Sequence, residues 1–95
     1  MKTSDVISKD EQDHFWSVVR QCIRRFYPSC ASSTLAKATR LRKKVSGMPV
    51  EQMELFYHAE PFDVACNLAD KPLDVTDRLD EYLKIRDADK RRQRV

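Results

Sequence analysis

Proline lacks a backbone N–H and its ring clashes with the preceding turn, so its positions limit where helices can run. This chain of 95 residues places its four prolines at 28, 49, 61 and 72 and carries a single glycine, Gly47. Helices must therefore lie between those points. The spacing predicts one helix before Pro28 and one between Pro28 and Gly47. Short helices then open at Pro49 and Pro61, and a last one follows Pro72. One glycine is too few for the many tight turns of a β-rich chain. The expected fold is all-α: a compact irregular bundle of four to five helices, two of them short and started by prolines.

Apolar periodicity fills in these segments. Ser8 and Glu11 have the spacing of a capping box, in which hydroxyl and carboxylate each satisfy a free backbone N–H. After them Phe15, Val18, Val19, Cys22, Ile23 and Phe26 recur at three- and four-residue steps, with Trp16 at the edge of that face. The 29–33 stretch is a small polar linker, after which Leu35, Ala38, Leu41 and Val45 turn inward. Gly47 is placed to end that helix in the left-handed conformation. Residues 48–70 are the densest apolar stretch and form a hub for the longer helices. There Val50, Met53, Phe56 and Tyr57 share a side, and Leu55 on another side implies a helix contacted twice. The segment from Phe62 to Ala69 is apolar nearly all round and is expected to be buried.

The expected core comprises Phe15, Val19, Cys22, Ile23, Phe26, Leu35, Leu41, Val45, Met53, Phe56, Phe62, Ala65, Leu68, Leu79, Tyr82 and Leu83. The domain is read as residues 8–86, with a disordered 1–7 stretch before it. Residues 87–95 lack apolar periodicity and are read as a basic, fraying, solvated tail.

Charge is unevenly spread. Residues 1–48 hold ten Lys and Arg against four acids, a net of +6. Residues 49–81 hold two bases against nine acids, a net of −7, and residues 82–95 hold six bases against two acids, a net of +4. The default expectation is that the basic half and acidic hub attract each other within one fold, remaining charges solvating outer faces. The sharper alternative is a bipolar surface for partners. Lys37, Arg40, Lys43 and Lys44, extended by Arg20 and Arg24 if the first two helices lie side by side, make a candidate contact for nucleic acid or another polyanion. Leu55, His58 and Glu60, around the proline break at 61, make a candidate partner or self-association patch.

Catalytic chemistry finds little support. Glu54 and His58 are one helical turn apart, a spacing open to acid–base or metal chemistry. A partly exposed histidine beside carboxylates is the simpler reading. There is no glycine-rich phosphate loop, no Cys-x-x-Cys and no paired-histidine zinc motif. Cys66, in an apolar segment, reads as a small buried side chain. No enzyme activity, cofactor, metal or small-molecule substrate is expected.

The segments flanking Asp70, Lys71 and Pro72 have helix-turn-helix spacing. The second of them would present Asp74, Asp77, Asp80 and Glu81 to phosphates, so that motif is not expected to enter DNA. An odd number of cysteines, Cys22, Cys30 and Cys66, without close spacing, and no apolar leader or membrane-length run fit a cytoplasmic protein. The leading expectation is a small, non-enzymatic protein-interaction module. The alternative is a nucleic-acid-associated accessory protein using the basic helix at 37–44 and the basic tail.

Overall fold

In a computed structural model the protein is all-helical, and residues 8–70 and 75–94 are described, 75–77 and 90–94 by their backbone alone. Among the described residues five helices follow one another: α1 (Lys9–Phe26), α2 (Ala31–Ser46), α3 (Val50–Tyr57), α4 (Pro61–Ala69) and α5 (Val75–Arg94). A 3₁₀ turn, Pro28–Cys30, joins the first two. The compact bundle expected from the proline spacing is what forms. The disorder expected at 1–7 and the start of the last helix after Pro72 lie outside the described residues.

Helix α1 is the axis of the bundle, packing against α2, α4 and α5. It begins with the full capping box: Ser8 Oγ accepts from the Glu11 N–H, and the Ser8 N–H donates to Glu11 Oε1 at 3.2 Å. Its face Phe15, Val18, Val19, Cys22 and Ile23 is buried, and each such side chain contributes about 1.5–3 kcal/mol by leaving water. Trp16, placed at the edge by periodicity, is 1% exposed. The reason is α3. Its Phe56 ring stacks on Trp16 at 5.6 Å, and Trp16 Nε1 donates to Tyr57 Oη at 2.9 Å. The indole thus gains both an apolar neighbour and a hydrogen-bond acceptor.

Helix α4 is buried as its composition implies, through Phe62, Val64, Ala65, Cys66 and Ala69. Phe62 links its neighbours, edge-on to Phe26 at 5.5 Å and tilted against Tyr82 at 5.4 Å. Pro61 occupies the first turn of α4, and Glu60 before it is extended (φ −78°, ψ 135°), as a residue preceding proline should be.

Several expectations need correction. Helix α2 starts at Ala31 rather than after a linker, because Pro28 seeds a 3₁₀ turn that runs straight into it. Gly47 is not left-handed (φ −92°); that conformation falls on Asp70 (φ 56°), which ends α4. Leu55 is 72% exposed instead of contacted from a second side, and Val50 and Leu79 also stand out in solvent. Helix α3 is short and packs through Met53, Phe56 and Tyr57, which leaves Leu55 on its reverse in solvent. Leu35, Leu41, Met53, Phe56 and Leu68 pack against the core while half-buried, and Thr34, Tyr27 and Ala38 are buried in addition to the expected set.

The largest departure is at the C-terminal end. The chain does not leave the fold at residue 86: α5 continues to Arg94, and Asp89 is 2% exposed.

Candidate interaction surfaces

Helix α2 contains no Asp or Glu and five bases. Its apolar stripe, with Thr34, Ala38 and Val45 buried, faces α1 and α4 and turns Lys37, Arg40, Lys43 and Lys44 outward, all four exposed. Lys43 and Lys44 also lie in the last turn, where the helix dipole favours cations. The fifth base behaves differently. Arg42 Nη2 pairs with Asp13 Oδ1 of α1, and that guanidinium, donating to the carboxylate, holds Asp13 below the usual carboxylate range. Among the described residues, none of Lys37, Arg40, Lys43 and Lys44 lies in an ion pair. Lys37 reaches the Leu68 carbonyl of α4 at 3.5 Å.

Arg20 joins this surface. It lines, with Thr39, Ala38, Trp16 and Arg42, a groove of about 230 Å³ between α1 and α2. Arg24 does not: it lies with Gln21, Arg25 and Ile85 on the α1–α5 flank. Side-by-side packing of α1 and α2 brings only one of the two arginines alongside the basic helix, because they project on either side of α1.

The acidic counterpart is equally unmixed. From Val50 to Asp70 there is no Lys or Arg, and there are five acids: Glu51, Glu54, Glu60, Asp63 and Asp70. Glu60 is engaged, accepting from Tyr82 Oη at 2.6 Å with Arg86 at 3.8 Å. The other four are in no ion pair among the described residues. Leu55 stands exposed on the α3 side that carries Glu51, away from the aromatic side that meets α1. The candidate patch of Leu55, His58 and Glu60 is thus exposed at all three residues, although Glu60 also serves to seat α5.

The expected neutralisation of basic half by acidic hub is not what the fold does with these charges. Among the described residues, the ion pair joining the two is between Arg25 and Glu81, at 2.6 Å from Arg25 Nε, and Arg25 lowers the Glu81 carboxyl below its ordinary range. It does not involve α2.

A polar cluster that sequence reasoning missed pins α5 to α1. The Asp89 carboxylate accepts from Ser17 Oγ at 2.5 Å and Gln21 Nε2 at 3.0 Å, and its other oxygen lies 2.7 Å from His14 Nδ1. An ionised carboxylate only accepts, so Nδ1 carries the shared proton. Serine, histidine and aspartate here do not form a nucleophilic triad, since Ser17 is bound to Asp89 and not to His14. The signal was present as spacing. His14, Ser17 and Gln21 form a polar stripe along α1, and Tyr82, Ile85 and Asp89 share one face of α5.

An open cleft of about 350 Å³ lies beside this cluster, lined among others by His14, Tyr57, His58, Glu60 and Arg86. It takes His58 together with His14, not with Glu54 as the one-turn spacing envisaged. Among the described residues, no group of three or more His, Cys, Asp or Glu is placed to hold a metal ion, and no helix is long and apolar enough to cross a membrane. No protein-family profile matches this chain, and no curated protein or solved structure is similar to it.

Proposed function

We propose that the protein is a non-enzymatic interaction module of a reducing compartment such as the cytoplasm, and that the outer face of α2 docks an acidic segment of a protein. The observation that carries this is the exposed set Lys37, Arg40, Lys43 and Lys44 on a helix without acids, unmatched by an ion pair among the described residues. Surface complementarity of this kind steers association and selects partners. Reduced thiols agree with the compartment: Cys22, Cys30 and Cys66 are free, and two of them are buried.

Nucleic acid would be drawn by the same cations. Single-strand binding relies on bases stacking on exposed rings. Here Phe15, Trp16, Tyr27, Phe62 and Tyr82 are buried and Phe26, Phe56 and Tyr57 are packed on the core. The basic side chains of residues 90–94, which that reading also uses, lie outside the described residues.

Fluorescence anisotropy decides between the two. A labelled glutamate-rich peptide and a labelled DNA duplex are titrated with the wild type and with Arg40→Glu/Lys44→Glu. Peptide binding lost in the variant is the expected result. Stronger binding to the duplex, falling about tenfold or more as salt rises from about 50 to 200 mM, would move the assignment to nucleic acid.

A further inference from the structure

We infer that the acidic segment docked by α2 is the α3 face of a second copy of this chain, giving a two-fold symmetric dimer. The inference rests on the reading of α2 as a docking face and names its partner. Two unspent surfaces of opposite sign occur on consecutive helices. The basic one is the outer face of α2. The acidic one carries Glu51 and Glu54 on α3, and neither is in an ion pair among the described residues.

Within one chain the two cannot neutralise each other. Helix α2 uses its inward stripe on α1 and α4, and α3 uses its aromatic side on α1, so the bases of α2 and Glu51 of α3 look outward, with Glu54 half-buried beside Glu51. A second copy removes that constraint. In an isologous pair each α2 meets the partner's α3, so both complements are satisfied at once and the assembly closes.

The acidic face also carries an apolar centre. Leu55, 72% exposed and on the side that carries Glu51, is a single apolar contact beside charge, the layout of a small interface core with a charged rim. Helix α3 has eight residues, so the contact is small and the dimer is a weak, salt-sensitive one.

Sedimentation equilibrium of the full chain tests this. At about 50 mM salt the mass should rise from one copy to two with concentration, and by about 300 mM salt the dissociation constant should weaken at least tenfold. Leu55→Glu, at an exposed site, should stay monomeric with an unchanged helical spectrum. Lys43→Glu/Lys44→Glu and Glu51→Lys/Glu54→Lys should each be monomeric alone, and an equimolar mixture of the two should recover the dimer, since both contacts are then complementary again.

A wild type that remains one copy at every concentration overturns the inference, as does a mixture that fails to pair or a mass that climbs past two. If the monomer still binds the glutamate-rich peptide through α2, the self-pairing falls and the reading of α2 stands. If it binds neither itself nor the peptide, both fall.

Discussion

Asp89 shows how much one side chain can decide. A carboxylate 2% exposed must be compensated by donors, and three side chains of α1 supply them. Removing it leaves His14, Ser17 and Gln21 facing a gap. Asp89→Ala should therefore cost about 2–4 kcal/mol and lower the thermal midpoint by roughly ten degrees or more, read by circular dichroism. Asp89→Asn keeps an acceptor for Ser17 and Gln21, and His14 can change tautomer to accept from the new amide, so its cost should be about half as large. Equal losses for the two variants would mean that the charge, not the hydrogen-bond geometry, holds α5.

At the level of elements, boundaries set by proline and capping chemistry were legible. Ser8 caps α1, Pro28 stops it and Pro61 starts α4, each through a local steric or hydrogen-bonding rule that needs no neighbour. Features that depend on a neighbour were not. Trp16 is buried because Phe56 and Tyr57 come to it, Leu55 is exposed because no described residue covers it, and α5 continues because a polar stripe on α1 receives Asp89. The basic face of α2 was readable from its own periodicity; that no acid among the described residues pairs with it was not, since that depends on which way α3 faces. Gly47 is a local rule that misfired. With φ −92° it needs no glycine, and an added Cβ would meet only the Lys44 carbonyl at an ordinary 3.6 Å. Gly47→Ala should thus stabilise the protein by about 0.4–1 kcal/mol through the unfolded chain's lost freedom, seen as a raised denaturant midpoint. A lowered midpoint would show that the turn between α2 and α3 needs the glycine after all.

For the whole molecule, the core sets how stability responds to alkali. Burial raises the Cys22 thiol from its ordinary 9.0 to about 12, with neighbouring Cys66 adding to the effect. Burial likewise raises the phenols of Tyr27 and Tyr82 above their ordinary 10.0, aided by the hydrogen bonds to Cys66 and Glu60 respectively. Groups whose neutral form is favoured by folding contribute fully below their unfolded pKa, and that contribution is lost as pH rises beyond it. The thermal midpoint should hold to about pH 9 and fall steeply above about pH 10, and in a Tyr57→Phe background the tyrosinate absorbance of Tyr27 and Tyr82 should emerge together with unfolding. Tyrosinate appearing well before helix loss in that background would contradict the burial of both rings. The way α5 is held has a different outcome. Its seam on the body mixes Tyr82 and Ile85 with many polar links: Glu81 to Arg25, Tyr82 and Arg86 to Glu60, and Asp89 to its three donors. Peeling back the end of such a helix uncovers little oily surface. Opening there would leave heat capacity and dye binding nearly unchanged, while the backbone amides around Asp89 trade their hydrogens for deuterium long before those of α1.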